Sequence, residues 1–259
     1  MDKPNILVSN DDGIDAPGLQ KLVTELKNFA NVYVSAPHRQ QSAVGHSITI
    51  FYPIRAVEHF VNGEFYGMAV EGTPADAVKI GVLHFFKDVK FDLVVSGINH
   101  GANTAINVIY SGTVSAATEG TTLNIPSVAV SLTTYAKNDF NYPAKVSAKI
   151  IRAILENKIV NLSPASLLNI NIPPVPESEI KGIKITKQGK SNWEDYFEVR
   201  SDPNGRDYYW LTGKMNVTDT TLDYDVAAIK DNYISITPLH YDLTDYKKYE
   251  ELKDWEIKL

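Results

Sequence analysis

Asn10-Asp11-Asp12-Gly13 is the first stretch of this chain whose residue types could do chemistry. It follows the apolar run Ile6-Leu7-Val8, so the two carboxylates fall where a buried strand should end. Gly13 permits a turn tight enough to aim both at one point, whereas inside a regular strand they would face opposite ways. Side-by-side carboxylates repel and raise one another's pKa, which makes the pairing tolerable chiefly when a cation sits between them. Ordinary turn chemistry with a helix N-cap accounts about equally well for the motif taken alone.

Two further clusters should reach the same sheet edge. The loop Ser96-Gly97-Ile98-Asn99-His100-Gly101-Ala102-Asn103 follows the apolar strand Leu93-Val94-Val95, and Asn99 and Asn103 offer neutral oxygens there. Tyr110-Ser111-Gly112-Thr113 precedes the helical run Val114-Ser115-Ala116-Ala117-Thr118-Glu119. A helix N-terminus with free N–H groups and nearby hydroxyls is a seat for phosphate, although a plain Ser/Thr N-cap explains the same letters in isolation. The charges of such a site fit together: two aspartates balance a divalent metal, and serine and asparagine oxygens complete its shell without repelling a phosphate ester. All-oxygen ligands suit magnesium or manganese better than zinc. His38, His46 and His100 lie in or near these loops without HExxH or paired spacing, and solvated or structural roles are expected for them.

The elements that must position these residues alternate. Strands are expected at Asn5 to Ser9, Asn31 to Ala36, Phe91 to Ser96, Ser127 to Ser131, Leu167 to Ile172 and Tyr233 to Thr237. Helices are expected from Pro17, where Leu19, Leu22, Val23 and Leu26 recur at helical spacing, from Thr73-Pro74-Ala75-Asp76, over Val114 to Leu123, over Pro143 to Asn157 and over Asp225 to Lys230. This rhythm predicts an α/β fold with a mostly parallel sheet covered on both faces, and ligands bind such sheets beyond the carboxyl ends of the strands. The rhythm breaks over residues 184–221, where Tyr196, Phe197, Tyr208, Tyr209 and Trp210 among Gly, Asn and Asp suit hairpins. A charged segment from Asp242 onward, with Tyr246, Tyr249, Leu252 and Trp255, is expected to be helical; with the aromatic excursion it points to self-association.

The whole chain sets bounds on partners and chemistry. Its 259 residues suffice for one α/β domain, and a net charge of -6 offers no cationic surface for a long nucleic acid. The absence of cysteine excludes a disulfide framework, a zinc–thiolate site and a thiol nucleophile. Neither a leader-like N-terminus nor a membrane-length apolar stretch is present, so a cytoplasmic protein with no membrane partner is expected.

Taken in order, these motifs resemble the SurE family, the survival-protein 5'/3'-nucleotidases or nucleoside-monophosphate phosphatases. The resemblance is carried by residues 6–13 with Ala16-Pro17-Gly18, Ala36-Pro37 with Gln41-Ser42, and Gly72-Thr73-Pro74-Ala75-Asp76. Further on it rests on Ser96-Gly97-Ile98-Asn99, Tyr110-Ser111-Gly112-Thr113-Val114 and Ser235-Ile236-Thr237-Pro238-Leu239. It implies a Rossmann-like three-layer sheet with an extended hairpin, a single domain over residues 1–259, and a C-terminal oligomerisation segment over 222–259 that builds homodimers or homotetramers. It also implies hydrolysis of nucleoside 5'- and 3'-monophosphates with one divalent cation per subunit, magnesium or manganese. Position by position, the metal ligands are Asp11, Asp12, Ser42 and Asn99; Asp11 and Asp12 carry catalysis, and Asn103, Ser111, Gly112 and Thr113 lie near the phosphate. Ala105 departs from the family, which usually has glycine two residues after the second asparagine of the loop.

On this reading a metal-assisted water attacks the phosphate directly. An aspartyl-phosphate mechanism of broad specificity, as in haloacid-dehalogenase-like phosphatases, spaces its two aspartates one residue apart, and here they are contiguous. A magnesium-binding phospho-receiver needs an acceptor aspartate at the end of a later strand, and Asp92 begins one. A nucleotide-binding module without chemistry is opposed by the lack of G-x-G-x-x-G and Walker sequences.

Overall fold

The layers follow from side-chain alternation in the central strands. In β1 (Asn5–Ser9), Ile6 and Val8 face one way, and Leu7 faces the other. Ile6 and Val8 join Leu19, Leu22 and Leu26 of helix α1 (Pro17–Leu26) in the larger hydrophobic core. Leu7 joins a smaller core on the opposite face. The computed structural model of the chain describes residues 3–136, 139–157 and 165–255.

After α1 come β2 (Asn31–Pro37), the hairpin β3 (Arg55–Val61) and β4 (Glu64–Glu71), and α2 (Pro74–Ile80), which runs into a π-helical turn at Gly81–Phe85. Next are β5 (Leu93–His100), the short α3 (Asn107–Tyr110), α4 (Gly112–Thr122), β6 (Ser127–Leu132), α5 (Asn141–Asn157) and β7 (Ser166–Ile172). The chain continues through β8 (Gly182–Ile185), the ribbon β9 (Asn192–Ser201) and β10 (Asp207–Asn216), α6 (Asp225–Lys230), β11 (Tyr233–His240) and α7 (Tyr246–Leu252). Among the described residues the main sheet has nine strands in the order β3-β4-β2-β1-β5-β6-β7-β11-β8. Strands β4 through β7 in that order run parallel, β3 and β11 run antiparallel to their inner neighbours, and β8 runs parallel to β11. Ile151 and Ile154 of α5 complete the α1 face, and Val78 of α2 and Ala116 of α4 cover the other. The result is a Rossmann-like α/β sheet with helices on both faces.

The topology fixes where a site must be. From β1 the chain moves outward through β2 to β4, then returns to lay β5 on the other side of β1 and continues outward through β6 and β7. The reversal opens a crevice beyond the carboxyl ends of β1 and β5, which is where the Asp11 and Asn99 segments emerge.

Three elements differ from the sequence expectation. Strand β5 runs on to His100: pairing with β6 breaks after Ser96 and resumes at Asn99 opposite Ser131, so Asn99 is held in a strand extension and not in a free loop. The β3–β4 hairpin was not anticipated; its turn residues Asn62 and Gly63, with φ of 52° and 82°, are the Asn-Gly pair that favours tight hairpins. Residues 182–185 pair with β11 at the sheet edge, so the ribbon proper spans the narrower range 192–216. The C-terminal helix is present as α7, while residues 256–259 of the predicted segment lie outside the described residues. Among the described residues no helix is long and apolar enough to cross a membrane.

Candidate active site

Asn10 shapes the turn that presents the two aspartates. Its Nδ2 donates to the Gly13 carbonyl at 2.9 Å and its Oδ1 accepts from the Gly13 N–H at 3.2 Å, closing a turn in which Gly13 takes a φ of 100°. Asp11 is 5 % exposed, and its Oδ1 accepts from Thr113 Oγ1 at 2.5 Å. Asp12 turns the other way: its Oδ2 accepts from the His100 backbone N–H at 3.1 Å. Each carboxylate is thus tied to a different segment of the crevice, one to the start of α4 and one to the end of β5.

Burial, opposed by the Thr113 hydrogen bond and reinforced by the charge of Asp12, pushes the Asp11 carboxyl up to about 6. Burial also raises Asp12. Among the described residues no lysine or arginine pairs with either group, and no cluster of three or more His, Cys, Asp or Glu side chains could hold a metal. An unneutralised acidic pair, one member buried and the other half-buried, fits a hard divalent cation, and neutral oxygens would have to complete its shell. Asn99 is suited to that: its Nδ2 is committed to the Gly101 carbonyl at 2.9 Å, which makes Oδ1 the atom it can offer. Ser42 lies on the segment after β2, next to Gln41, whose N–H donates to the Asp11 carbonyl at 2.7 Å. Gln40 Nε2 donates to Ser42 Oγ at 2.8 Å.

The start of α4 closes the crevice. Ser111 is an N-cap whose Oγ accepts from the Val114 N–H at 3.0 Å, the plain capping role, and it also lines the cavity. Gly112 packs against Asp11 so closely that a Cβ there would lie 2.7 Å from that of Asp11. Asp11, Ser42, Asn99, Asn103 and Ser111 line one cavity of about 590 Å³. Asp12, Gly112 and Thr113 adjoin it through these neighbours without lining it.

Asn103 is the most tightly held of the group. Its N–H donates to Asn171 Oδ1 at 2.9 Å, and its carbonyl accepts from Asn169 Nδ2 at 2.7 Å and Asn171 Nδ2 at 3.0 Å. Its own Nδ2 donates to Ser131 Oγ at 2.8 Å. Asn169, Asn171 and Ser131 are fully buried, and sequence reasoning missed all three. Their signal was two polar residues spaced by two within the apolar strand Leu167-Leu168-Asn169-Ile170-Asn171-Ile172. Ala105, the departure from the glycine pattern, keeps a left-handed φ of 48° at a cost of about 1 kcal/mol. Its N–H donates to Asp225 Oδ2 at 3.0 Å and its carbonyl accepts from Gln188 Nε2 at 2.8 Å, so the conformation is held from the β8–β9 and α6 segments.

The cavity wall opposite comes from the ribbon: Trp193, Asp195, Leu211, Thr212 and Gly213. Trp193 Nε1 donates to Asn107 Oδ1 at 2.7 Å, which fixes the indole against the site. No sequence motif marked these residues. Of the histidines, His100 reaches the Ala136 carbonyl at 2.7 Å and His46 pairs with Glu119 at 2.9 Å, while His38 lies in a separate, smaller hollow.

Two outcomes follow. Asn171→Ala strips the Asn103 N–H of its partner and should lower unfolding free energy by about 1–3 kcal/mol in urea, with a loss of turnover. For Asp11, the folded pKa lies above the unfolded one, so its stabilising protonation is present at low pH and lost as pH rises through about 6. The thermal midpoint of metal-free protein should therefore drop between about pH 4 and about pH 6, and the drop should shrink in Asp11→Asn.

The chain is similar to known proteins over nearly its whole length. The profile of the family described as survival protein SurE matches residues 6–195. The chain is 44% identical over 256 residues to the 5'-nucleotidase SurE of Chlorobaculum tepidum, covering 99% of this chain and 96% of that one. It is 46% identical over 252 residues to the 5'-nucleotidase SurE of Petrotoga mobilis, covering 97% and 98%. The crystal structure of the SurE protein from Aquifex aeolicus superposes with a TM-score of 0.83 at 38% identity, covering 96% of this chain and 98% of that one. With almost three-quarters of its length matched by the family profile and nearly all of it by these relatives, the chain belongs to the SurE family.

Proposed function

We propose that this protein is a divalent-metal-dependent 5'-nucleotidase that hydrolyses nucleoside 5'- and 3'-monophosphates to nucleoside and phosphate. The observation that carries this reading is the meeting of Asp11, Asn99, Asn103 and the Ser111 helix terminus on one cavity, in a chain whose relatives are 5'-nucleotidases. Asp11, Asp12, Ser42 and Asn99 would hold one magnesium or manganese ion. When bound, such an ion supplies Lewis-acid polarisation of a phosphoryl oxygen and lowers the pKa of water.

The remaining work falls to the chain. Gly112 and Thr113 stand beside the cavity at the positive end of the α4 dipole, which would favour the negative charge that develops on a phosphate seated next to Ser111. The second amide hydrogen of Asn103 adds a donor whose direction is fixed by Ser131 and Asn171. Thr113 holds the Asp11 carboxylate by its hydroxyl, which fits an aspartate that holds an ion better than one that attacks phosphorus. The indole of Trp193 and the side chain of Leu211 give the cavity an apolar wall of the kind a nucleobase packs against. Asp92 sits at the opposite edge of the sheet, bonded to the Asn5 N–H at 2.8 Å, which disfavours a phospho-receiver.

Phosphate release should be measured over nucleoside 5'- and 3'-monophosphates, short polyphosphate and an aryl phosphate, with magnesium or manganese and with chelator. Release from the nucleotides should vanish with chelator, and Asp12→Asn should lose at least about a hundredfold in turnover while keeping its fold. Release indifferent to chelator, or near-wild-type turnover by Asp12→Asn, would refute the assignment.

Residues 1–259 are read as one domain that self-associates through the ribbon and the C-terminal segment. Exposed Tyr196, Phe197, Tyr209, Trp210, Tyr246 and Trp255 support that reading, because apolar side chains this concentrated usually meet a partner. Sedimentation at micromolar concentration should show dimers or tetramers; monomer alone would contradict it.

A further inference from the structure

Residues 38–54, between β2 and β3, form neither helix nor strand, yet they carry Ser42. Fixing backbone costs conformational entropy at every residue, so such a segment presents an oxygen reproducibly only when contacts outside it do the holding. Main-chain bonds supply part of this: Gln41 N–H to the Asp11 carbonyl at 2.7 Å and Gly45 N–H to the Tyr110 carbonyl at 3.1 Å. The far end is gripped by α2, where Asp76 accepts from the Thr49 N–H and Oγ1 at 2.9 and 2.6 Å, and Thr73 Oγ1 donates to the Ser47 carbonyl at 2.7 Å.

On the Ser42 side of the segment, the side-chain anchor is His46. Its Nε2 meets Glu119 Oε2 at 2.9 Å, and Glu119 is only 3 % exposed. The other carboxylate oxygen takes Lys79 Nζ at 2.6 Å and Thr122 Oγ1 at 3.1 Å. Burial works to raise this carboxyl, but the hydrogen bonds and charges of His46 and Lys79 outweigh it and hold it below the usual range, so it is a fixed negative charge. Glu119 sits on α4, the same helix whose Thr113 grips Asp11. One rigid rod therefore contacts the segment that bears Ser42 at one end and the Asp11 carboxylate at the other.

We propose that His46 and Glu119 are positioning residues that set the placement of Ser42 relative to Asp11, with α4 as the spacer. This rests on the reading of Ser42 as a metal ligand. Neither side chain touches substrate; both act through the backbone between residues 42 and 46.

The test is calorimetric titration of the full-length protein with MnCl2, without substrate, alongside the thermal midpoint of the metal-free protein. His46→Ala should raise the Mn2+ dissociation constant by about tenfold to hundredfold, the usual effect of losing a group that orients a ligand; because it also leaves Glu119 Oε2 without its partner, the metal-free midpoint should fall as well. His46→Gln, whose amide nitrogen donates to Glu119 as the imidazole does, should return binding to within about threefold of wild type. Ser42→Ala serves as the reference and should weaken Mn2+ binding by itself. The proposal is overturned if His46→Ala binds Mn2+ like wild type while Ser42→Ala is weakened, or if His46→Ala lowers only the thermal midpoint. Wild-type binding by Ser42→Ala would instead remove the ligand reading, and the proposal would fall with it.

Discussion

Two adjacent carboxylates at the end of a buried strand want opposite things from their surroundings. To hold a cation both must be ionised, yet burial and mutual repulsion favour protonation, and Asp11 is pushed up to about 6. Much of the architecture around β1 can be read as a response to that conflict. Asn10 and Gly13 shape the turn, Thr113 supplies a hydrogen bond that favours the charged form of Asp11, and the His100 N–H does the same for Asp12. Asn99 and Ser42 line the same cavity with neutral oxygens and so add no charge beside the pair.

Helix α4 links this electrostatics to the packing. Nearly all of its residues are buried, and its small side chains, Gly112, Ser115, Ala116, Ala117 and Gly120, let it lie close against the sheet. That closeness brings the N-terminal N–H groups up to Asp11. A helix with larger residues would stand off from β1 and β6, and the distance from Thr113 to Asp11 would be the first to grow.

What was legible in the sequence was local. Asp11, Asp12, Asn99 and Ser111 could be placed because each follows or starts an element whose period is plain, and a parallel sheet brings such ends together by necessity. Ser42 escaped that logic, since residues 38–54 have no period and their course is set by Asp76 and Glu119, which come much later in the chain. The resemblance to a family located it where the pattern of the chain did not. Asn169 and Asn171 looked like interruptions of a strand; only the fold shows that they face the Asn103 backbone. The ribbon was expected as an excursion from the core, but that its base walls the cavity depends on Asp225 and Asp219, whose buried carboxylates accept from Gly189, Lys190 and Ser191 and so aim the chain into β9.

The ribbon has a consequence of another kind. All residues of β9 are exposed, and two strands alone have little stability of their own. The same strands furnish Trp193 and Leu211 to the cavity. Whatever steadies the outer end of the ribbon therefore also steadies the wall against which a ligand rests, and linkage runs both ways: a ligand that packs against that wall favours a contact that holds Trp210. On the self-association through the ribbon proposed above, affinity for a small molecule would vary with the concentration of the protein itself, and the ribbon would be a thermodynamic bridge between the chemistry of one subunit and the company it keeps.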